Sequence, residues 1–80
     1  MAEKDKDTIQ FMYAEHPSGL RKLVTARVVI DGHVFTGRDA RIKAIKHVME
    51  TLLVGYHVAE NLFTTGITVE PPVIVKFSRR

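Results

Sequence analysis

Two histidine–carboxylate pairs are the residues whose types and spacing come closest to a chemical site. His47 lies one helical turn before Glu50, and His57 has the same spacing to Glu60. On a helix, each pair places an imidazole and a carboxylate on adjacent turns, where both can bind one metal ion. The pairs are about 15 Å apart along a helix, so one chain cannot bring both to a single ion. Two antiparallel helices could do so; the alternative is a set of surface salt bridges.

Four cations cluster where a helix is expected to begin, namely Arg38, Arg41, Lys43 and Lys46. The helix dipole disfavours a cation by about 0.3–1 kcal/mol, and only within the first turn, where Arg38 is expected. Free N–H groups at a helix start, together with arginines, bind phosphate or carboxylate. We therefore predict these four residues as the candidate nucleic-acid or anion site. The alternative is a solvated face on which Lys46 pairs with Glu50.

The remaining polar residues do not form a recognisable catalytic set. His16 and Ser18 lie in a predicted turn, and His33 begins a predicted strand. The spacing of these residues does not match that of a nucleophile, a general base and a residue that orients the base. The sequence also lacks a glycine-rich phosphate loop. We predict a protein that is not an enzyme and uses no cofactor.

Chain length and composition point to oligomerisation. The chain has 80 residues, a net charge of +3 and no cysteine. A domain of this size buries only about 60–65% of its unfolded surface, and it has no disulfide or thiolate metal site to add stability. No apolar run approaches the roughly 20 residues that span a bilayer, and the opening MAEKDKD lacks a signal-peptide core. We expect a disordered tail over residues 1–7, one domain over residues 8–80, and a cytoplasmic protein without membrane contact.

The first half of the chain has the pattern of a three-stranded meander. Residues 8–15 alternate in polarity, and residues 20–30 are rich in β-branched side chains. A turn at His-Pro-Ser-Gly separates them. Asp31 and Gly32 predict a two-residue hairpin that leads into a strand over residues 33–36.

The second half predicts one long helix and an edge strand. Thr36 and Asp39 have the spacing of a helix N-cap, and the helical pattern continues to about Phe63. Gly55 in mid-helix predicts a kink, a close approach or a break. Residues 67–77 are strand-like, but two prolines confine them to an edge. The predicted fold is α+β, in the order β-β-β-α-β, with an antiparallel-type sheet (a meander plus a C-terminal edge strand) and one long helix packed on one face.

The predicted turns also assign residues to the two faces of the sheet, because opposed residues share a face. The core face is predicted to hold Ile9, Phe11, Tyr13, Val24, Ala26, Val28, Ile30 and Phe35. Val73, Val75 and Phe77 are expected on that side of the last strand. The opposite face, too apolar to be fully solvated, is predicted to hold Met12, Leu23, Thr25, Arg27, Val29, Val34 and Ile74.

The helix is predicted to carry two apolar stripes. The wider stripe is expected to pack on the sheet, and its members are Ile42, Ile45, Val48, Met49, Leu52, Leu53, Tyr56, Ala59 and Phe63. A second stripe of smaller residues faces away and consists of Val54 and Val58, flanked by Ala40, Ala44, Thr51 and Leu62. A soluble monomer has little use for this second stripe, so we expect a helix-mediated homodimer.

These surfaces predict a small regulator or inhibitor, of the kind that phages and mobile elements encode, acting through protein–protein contacts. The predicted interface residues are Met12, Leu23, Arg27, Val29, Val34, Val54 and Val58. Single-strand binders need aromatic rings on an open sheet face, and here the rings fall on core-facing positions. Nucleic-acid binding through the basic helix start is the alternative function.

Overall fold

The computed structural model describes residues 6–76, so residues 1–5 of the predicted tail (residues 1–7) and the predicted core position of Phe77 lie outside the described residues. The α+β class is confirmed. The elements are β1 (Thr8–Glu15), β2 (Arg21–Ile30), β3 (His33–Gly37), α1 (Ala40–Leu52), α2 (Tyr56–Gly66), β4 (Thr68–Val69) and β5 (Val73–Lys76). None of the helices in the described part of the chain is long and apolar enough to cross a membrane.

The sheet is mixed, which corrects the prediction of an antiparallel-type sheet. β1, β2 and β3 form the predicted antiparallel meander, but β4 and β5 both pair with β1 in parallel. The helices carry the chain back to the end of the sheet where β1 begins, so the last strand runs in the β1 direction. Pro71 and Pro72 split that strand in two, because proline lacks the N–H that a ladder requires.

The hairpin at Asp31 and Gly32 has the predicted two-residue turn. Both residues have positive φ, 50° and 79°, as a type I′ turn requires. The register is the predicted one, with Ile30 opposite His33 and Val28 opposite Phe35. This turn places Val28 on the helix side of the sheet, where its side chain is fully buried.

The hairpin between β1 and β2 has a different register from the predicted one. The predicted turn would place Glu15 opposite Leu20 and Phe11 opposite Val24, whereas Phe11 pairs with Ala26 and a bulge lies between the partners of Met12 and Tyr13. The turn also closes one residue later than expected, with the His16 N–H donating to the Leu20 carbonyl at 2.8 Å.

Two face assignments are wrong as a result. Leu23 pairs with Tyr13 and so lies on the helix side rather than the outer side. Val24 occupies the bulge and is exposed rather than part of the core. For the rest of β2, the pairing with β1 differs from the predicted pairing by two residues. A shift of two residues leaves each of these side chains on its predicted face.

The prediction of one long helix is wrong, since the helical segment breaks near Gly55. Leu53 ends α1 in the left-handed conformation, with φ at 58°, and Gly55 is extended before α2 begins. The helix start also differs from the prediction. Asp39 rather than Thr36 precedes the first helical residue, and its side chain makes no capping hydrogen bond. As a result, α1 packs on β2 and β3, and α2 packs mainly against α1.

Among the described residues, nine form the buried core, and they correct the predicted helix orientation. The core residues are Ile9, Ala26, Val28, Ile30, Ala40, Ala44, Ile45, Ala59 and Phe63. Ala40 and Ala44 were predicted to face away from the sheet, yet both are fully buried, whereas Ile42 is 45% exposed. Leu52 and Leu53 are also exposed rather than in the core. Small side chains allow a helix to approach its neighbour closely, so α1 packs through its alanines.

Candidate functional site

Two of the four predicted anion-binding cations make contacts within the fold. Arg41 donates to Glu60 of α2 at 3.2 Å, and its guanidinium lies 5.8 Å from the centre of the Phe63 ring. Lys43 Nζ lies 3.4 Å from Asp39 Oδ1 and donates to the Thr36 carbonyl at 3.3 Å. These contacts connect α1 to α2 and to the end of β3. Partly exposed pairs of this kind contribute about 0–1 kcal/mol each.

The other two predicted cations lie apart. Lys46 is exposed on α1. The i,i+4 ion pair found at the start of that helix, within the described residues, joins Lys43 to Asp39. Arg38 precedes the helix and lines a surface cleft of about 680 Å³ together with Arg21 and Lys22. The four residues therefore do not form one site.

The cleft at Arg38 was not predicted, and we call it the cationic cleft. Its apolar wall is formed by Leu20, Leu23 and Val24, and its cations are Arg21, Lys22 and Arg38. It results from the bulge at Val24 and from the point where β3 ends. The only signal in the sequence is the adjacent pair Arg21 and Lys22 after the turn, because Arg38 is distant along the chain.

The histidine–carboxylate pairs are placed on different helices by the break at Gly55. The His47 ring packs 4.7 Å from the His33 ring, and Glu60 is engaged by Arg41. Within residues 6–76, no group of three or more histidine, cysteine or acidic side chains is close enough together to hold a metal ion. Glu50 and His57 are both exposed.

One face of the sheet carries no helix, and we call it the outer sheet face. By strand register it consists of Thr8, Gln10, Met12, Ala14, Lys22, Thr25, Arg27, Val29, Val34, Thr36, Thr68, Val73 and Val75. Four predicted interface residues are brought together here, namely Met12, Arg27, Val29 and Val34. Val73 and Val75 belong to this face because they pair with Met12 and Ala14, so the placement of Ile74 here was wrong. None of the thirteen residues is acidic.

A second apolar surface lies on the helices, and we call it the helix patch. It consists of Leu52, Leu53, Val58 and Leu62, all about half or more exposed. Leu52 and Leu62 line the same surface depression, and Val58 lies one turn before Leu62. Val54, expected beside Val58, instead packs against the core, because the chain leaves the helix before reaching it.

The described surface thus offers an outer sheet face of aliphatic, threonine and cationic side chains, an uncharged helix patch and a cationic cleft. The first two contain most of the predicted interface residues, and the third contains Leu23 and Arg38. No protein-family model matches the sequence, and no curated protein or solved structure is similar to it.

Proposed function

We propose that this protein is a small non-catalytic interaction module that acts through protein–protein contacts and self-associates. The balance between buried and exposed side chains carries this proposal. Within residues 6–76, nine residues form the core, four of them alanine, whereas eleven large aliphatic side chains are exposed. Soluble proteins rarely expose extended apolar patches that serve no contact. A regulator or inhibitor that covers or bridges a macromolecular partner fits this surface.

The helix patch is the surface that best suits self-association. A symmetric dimer places the same patch on both sides of the interface, so a charge at its centre would meet the same charge. The four residues of the helix patch are uncharged, although Asp7 and Asp31 line the same depression as Leu52 and Leu62. The outer sheet face would bring Arg27 of one copy towards Arg27 of the other, and juxtaposed like charges oppose association. The outer sheet face is therefore assigned to a different protein.

Nucleic-acid binding is the second candidate function, and the cationic cleft favours it. Against it, Arg41 and Lys43 are paired with Glu60 and Asp39. Phe11 and Phe35 pack against the core on the helix side, so they are not offered for base stacking on the outer sheet face. These contacts favour a protein partner.

Sedimentation velocity tests self-association directly. We expect the unmodified chain at 100 μM to sediment with twice the 9.1 kDa mass of one chain. A mass of 9.1 kDa at that concentration would refute self-association.

Salt dependence tests the choice of partner. Binding to duplex DNA would weaken with a log–log slope of about −0.9 per phosphate contacted. We expect no binding to mixed DNA or RNA at 50 mM salt. Binding with that slope, made shallower by Arg38→Ala, would favour the nucleic-acid function instead.

A further inference from the structure

The strand β2 has a free edge over half of its length. β1 pairs with one side of β2 over residues 21–29, except at the bulge at Val24. On the other side β3 pairs only with residues 26–30, because β3 ends at Gly37 opposite Ala26. Within the described part of the chain, no strand pairs with that side of residues 21–25.

The hairpin geometry identifies the backbone groups at this edge. The His16 N–H donates to the Leu20 carbonyl, so Leu20 directs its backbone groups towards β1. Along an antiparallel strand, successive residues direct their backbone groups to opposite sides. Arg21 and Leu23 therefore direct their N–H and C=O groups towards the free edge. Such an edge is a template for pairing with another extended chain.

Each of the other two edges of the sheet carries a feature that opposes pairing at one point. Lys43 Nζ donates to the Thr36 carbonyl on the outer edge of β3. Pro71 and Pro72 interrupt the opposite edge between β4 and β5. Prolines and lysines are common means of protecting sheet edges from pairing. The β2 edge lies beside the cationic cleft.

The cationic cleft beside this edge determines which chain it suits. Its volume of about 680 Å³ is within the range of ligand-binding clefts, about 300–1,000 Å³. Arg21, Lys22 and Arg38 line it, and Leu20, Leu23 and Val24 supply apolar contact. Glu15 Oε1 is 3.7 Å from Arg21 Nε, which is too long for a hydrogen bond, so the Arg21 guanidinium retains donors for a second carboxylate.

We propose that the free edge of β2 binds an extended, acidic segment of a partner protein as an added strand beside residues 21–25. Backbone hydrogen bonds to Arg21 and Leu23 supply the affinity, as in other cases of strand addition. The three cations select aspartate and glutamate and repel a basic strand. This site rests on the proposed protein-binding function, but it is separate from the helix patch.

The test uses a fluorescein-labelled eight-residue peptide that alternates glutamate and valine, with fluorescence anisotropy as the readout and the full chain as receptor. We expect this peptide to bind and the same peptide with lysine for glutamate not to bind. Two further versions carry N-methyl groups on alternate residues, one on each edge of the peptide. Only one of them should bind, because a single edge of the added strand pairs with β2. Amide resonances of Arg21 and Leu23 should shift on binding.

A matched pair of variants locates the site. Arg38→Gln removes a cation from the cleft, and Lys46→Gln removes an exposed cation from α1, away from it. We expect Arg38→Gln to weaken binding about two- to fivefold, the range for one exposed ion pair. Lys46→Gln should leave the peptide affinity unchanged.

Several outcomes would overturn the proposal. Equal binding of both N-methylated peptides would exclude an added strand, and equal binding of the lysine peptide would exclude charge selection. Tighter binding of a thymidine oligonucleotide that displaces the peptide would assign the cleft to nucleic acid. No peptide binding at about 1 mM, with the dimer intact by sedimentation, would reject this site and leave self-association standing.

Discussion

The two halves of β2 differ in every property that governs packing. Residues 26–29 have a strand on each side, and Ala26, Val28 and Ile30 are buried on the helix side of the sheet. Residues 21–25 have a strand on one side only, and Val24 is 44% exposed. Residues 26–30 of β2 therefore belong to the core, whereas residues 21–25 lie at the surface. If the proposed strand addition is right, substitutions in residues 26–30 will change mainly stability, and substitutions in residues 21–25 will change mainly binding.

Gly37 and the bulge at Val24 mark the boundary between the two halves. Gly37 has φ at 114°, a conformation that other residues adopt only with strain. A Cβ at this position would lie 3.1 Å from Asp39 Oδ1. The glycine thus lets the chain leave the sheet opposite Ala26, which ends β3 and leaves the rest of β2 without a neighbour.

The substitution expected to lower stability most tests which side of α1 packs on residues 26–30 of β2. Ile45 is fully buried, whereas Ile42, three residues earlier on the same helix, is 45% exposed. Ile45→Ala should lower the free energy of unfolding by about 2–5 kcal/mol, the range for removing a buried isoleucine. Ile42→Ala should cost much less. Urea unfolding followed by circular dichroism measures both, and equal losses would contradict the helix orientation.

The next effect tests the register of the core half. Val28→Thr buries a hydroxyl without a partner and should cost about 1–3 kcal/mol. Val29 lies on the outer sheet face and is partly exposed, so Val29→Thr should change stability by no more than about 0.5 kcal/mol. Thermal unfolding compares the two. The opposite ranking would mean a register slip of one residue, which exchanges the faces.

A third effect concerns the boundary itself. Gly37→Ala should destabilise the protein by about 1–3 kcal/mol, because alanine resists the positive φ at this position. Gly66, at the end of α2, has open space around it, and Gly66→Ala should be close to neutral or slightly stabilising. Equal and small effects for both, measured by urea unfolding, would mean that the turn after β3 tolerates a side chain.

The smallest effect on stability belongs to the open half. Leu23→Thr should cost about 1 kcal/mol or less, because Leu23 is only partly buried and packs outside the main core. The same change should weaken binding of the acidic peptide, since Leu23 lines the cleft. A large loss of stability without a loss of binding would place Leu23 in the core and remove the distinction between the two halves.

The sequence predicted the parts of the fold that depend on local chemistry. Asp31 and Gly32 predict a type I′ turn by their own backbone preferences, and the structure has that turn with the predicted partners. The alternation of residues 8–12 and 25–30 then assigns most side chains to the correct face. Met12, Arg27, Val29 and Val34 meet on the outer sheet face for this reason.

The remainder of the fold depends on side-chain packing, which the hydrophobic periodicity of the sequence does not predict. Both stripes of α1 are apolar, and the pattern alone favours the larger side chains, whereas the fold buries Ala40 and Ala44 because they allow closer contact. A bulge adds one residue without changing composition, so the displacement of Leu23 and Val24 has no signal in the alternation. The cationic cleft joins Arg38 to Arg21 and Lys22 across the sheet, which only the tertiary fold brings about.

A matched pair of variants in sedimentation velocity tests whether the protein self-associates through the helix patch. Val58 in the helix patch and Val34 on the outer sheet face are 50% and 52% exposed, so the same change to glutamate perturbs each monomer similarly. We predict that Val58→Glu sediments as a folded monomer of about 9.1 kDa, because a symmetric interface would bury two unpaired carboxylates. Val34→Glu should remain a dimer. A Val58→Glu dimer, or a Val34→Glu monomer, would contradict the assignment of self-association to the helix patch.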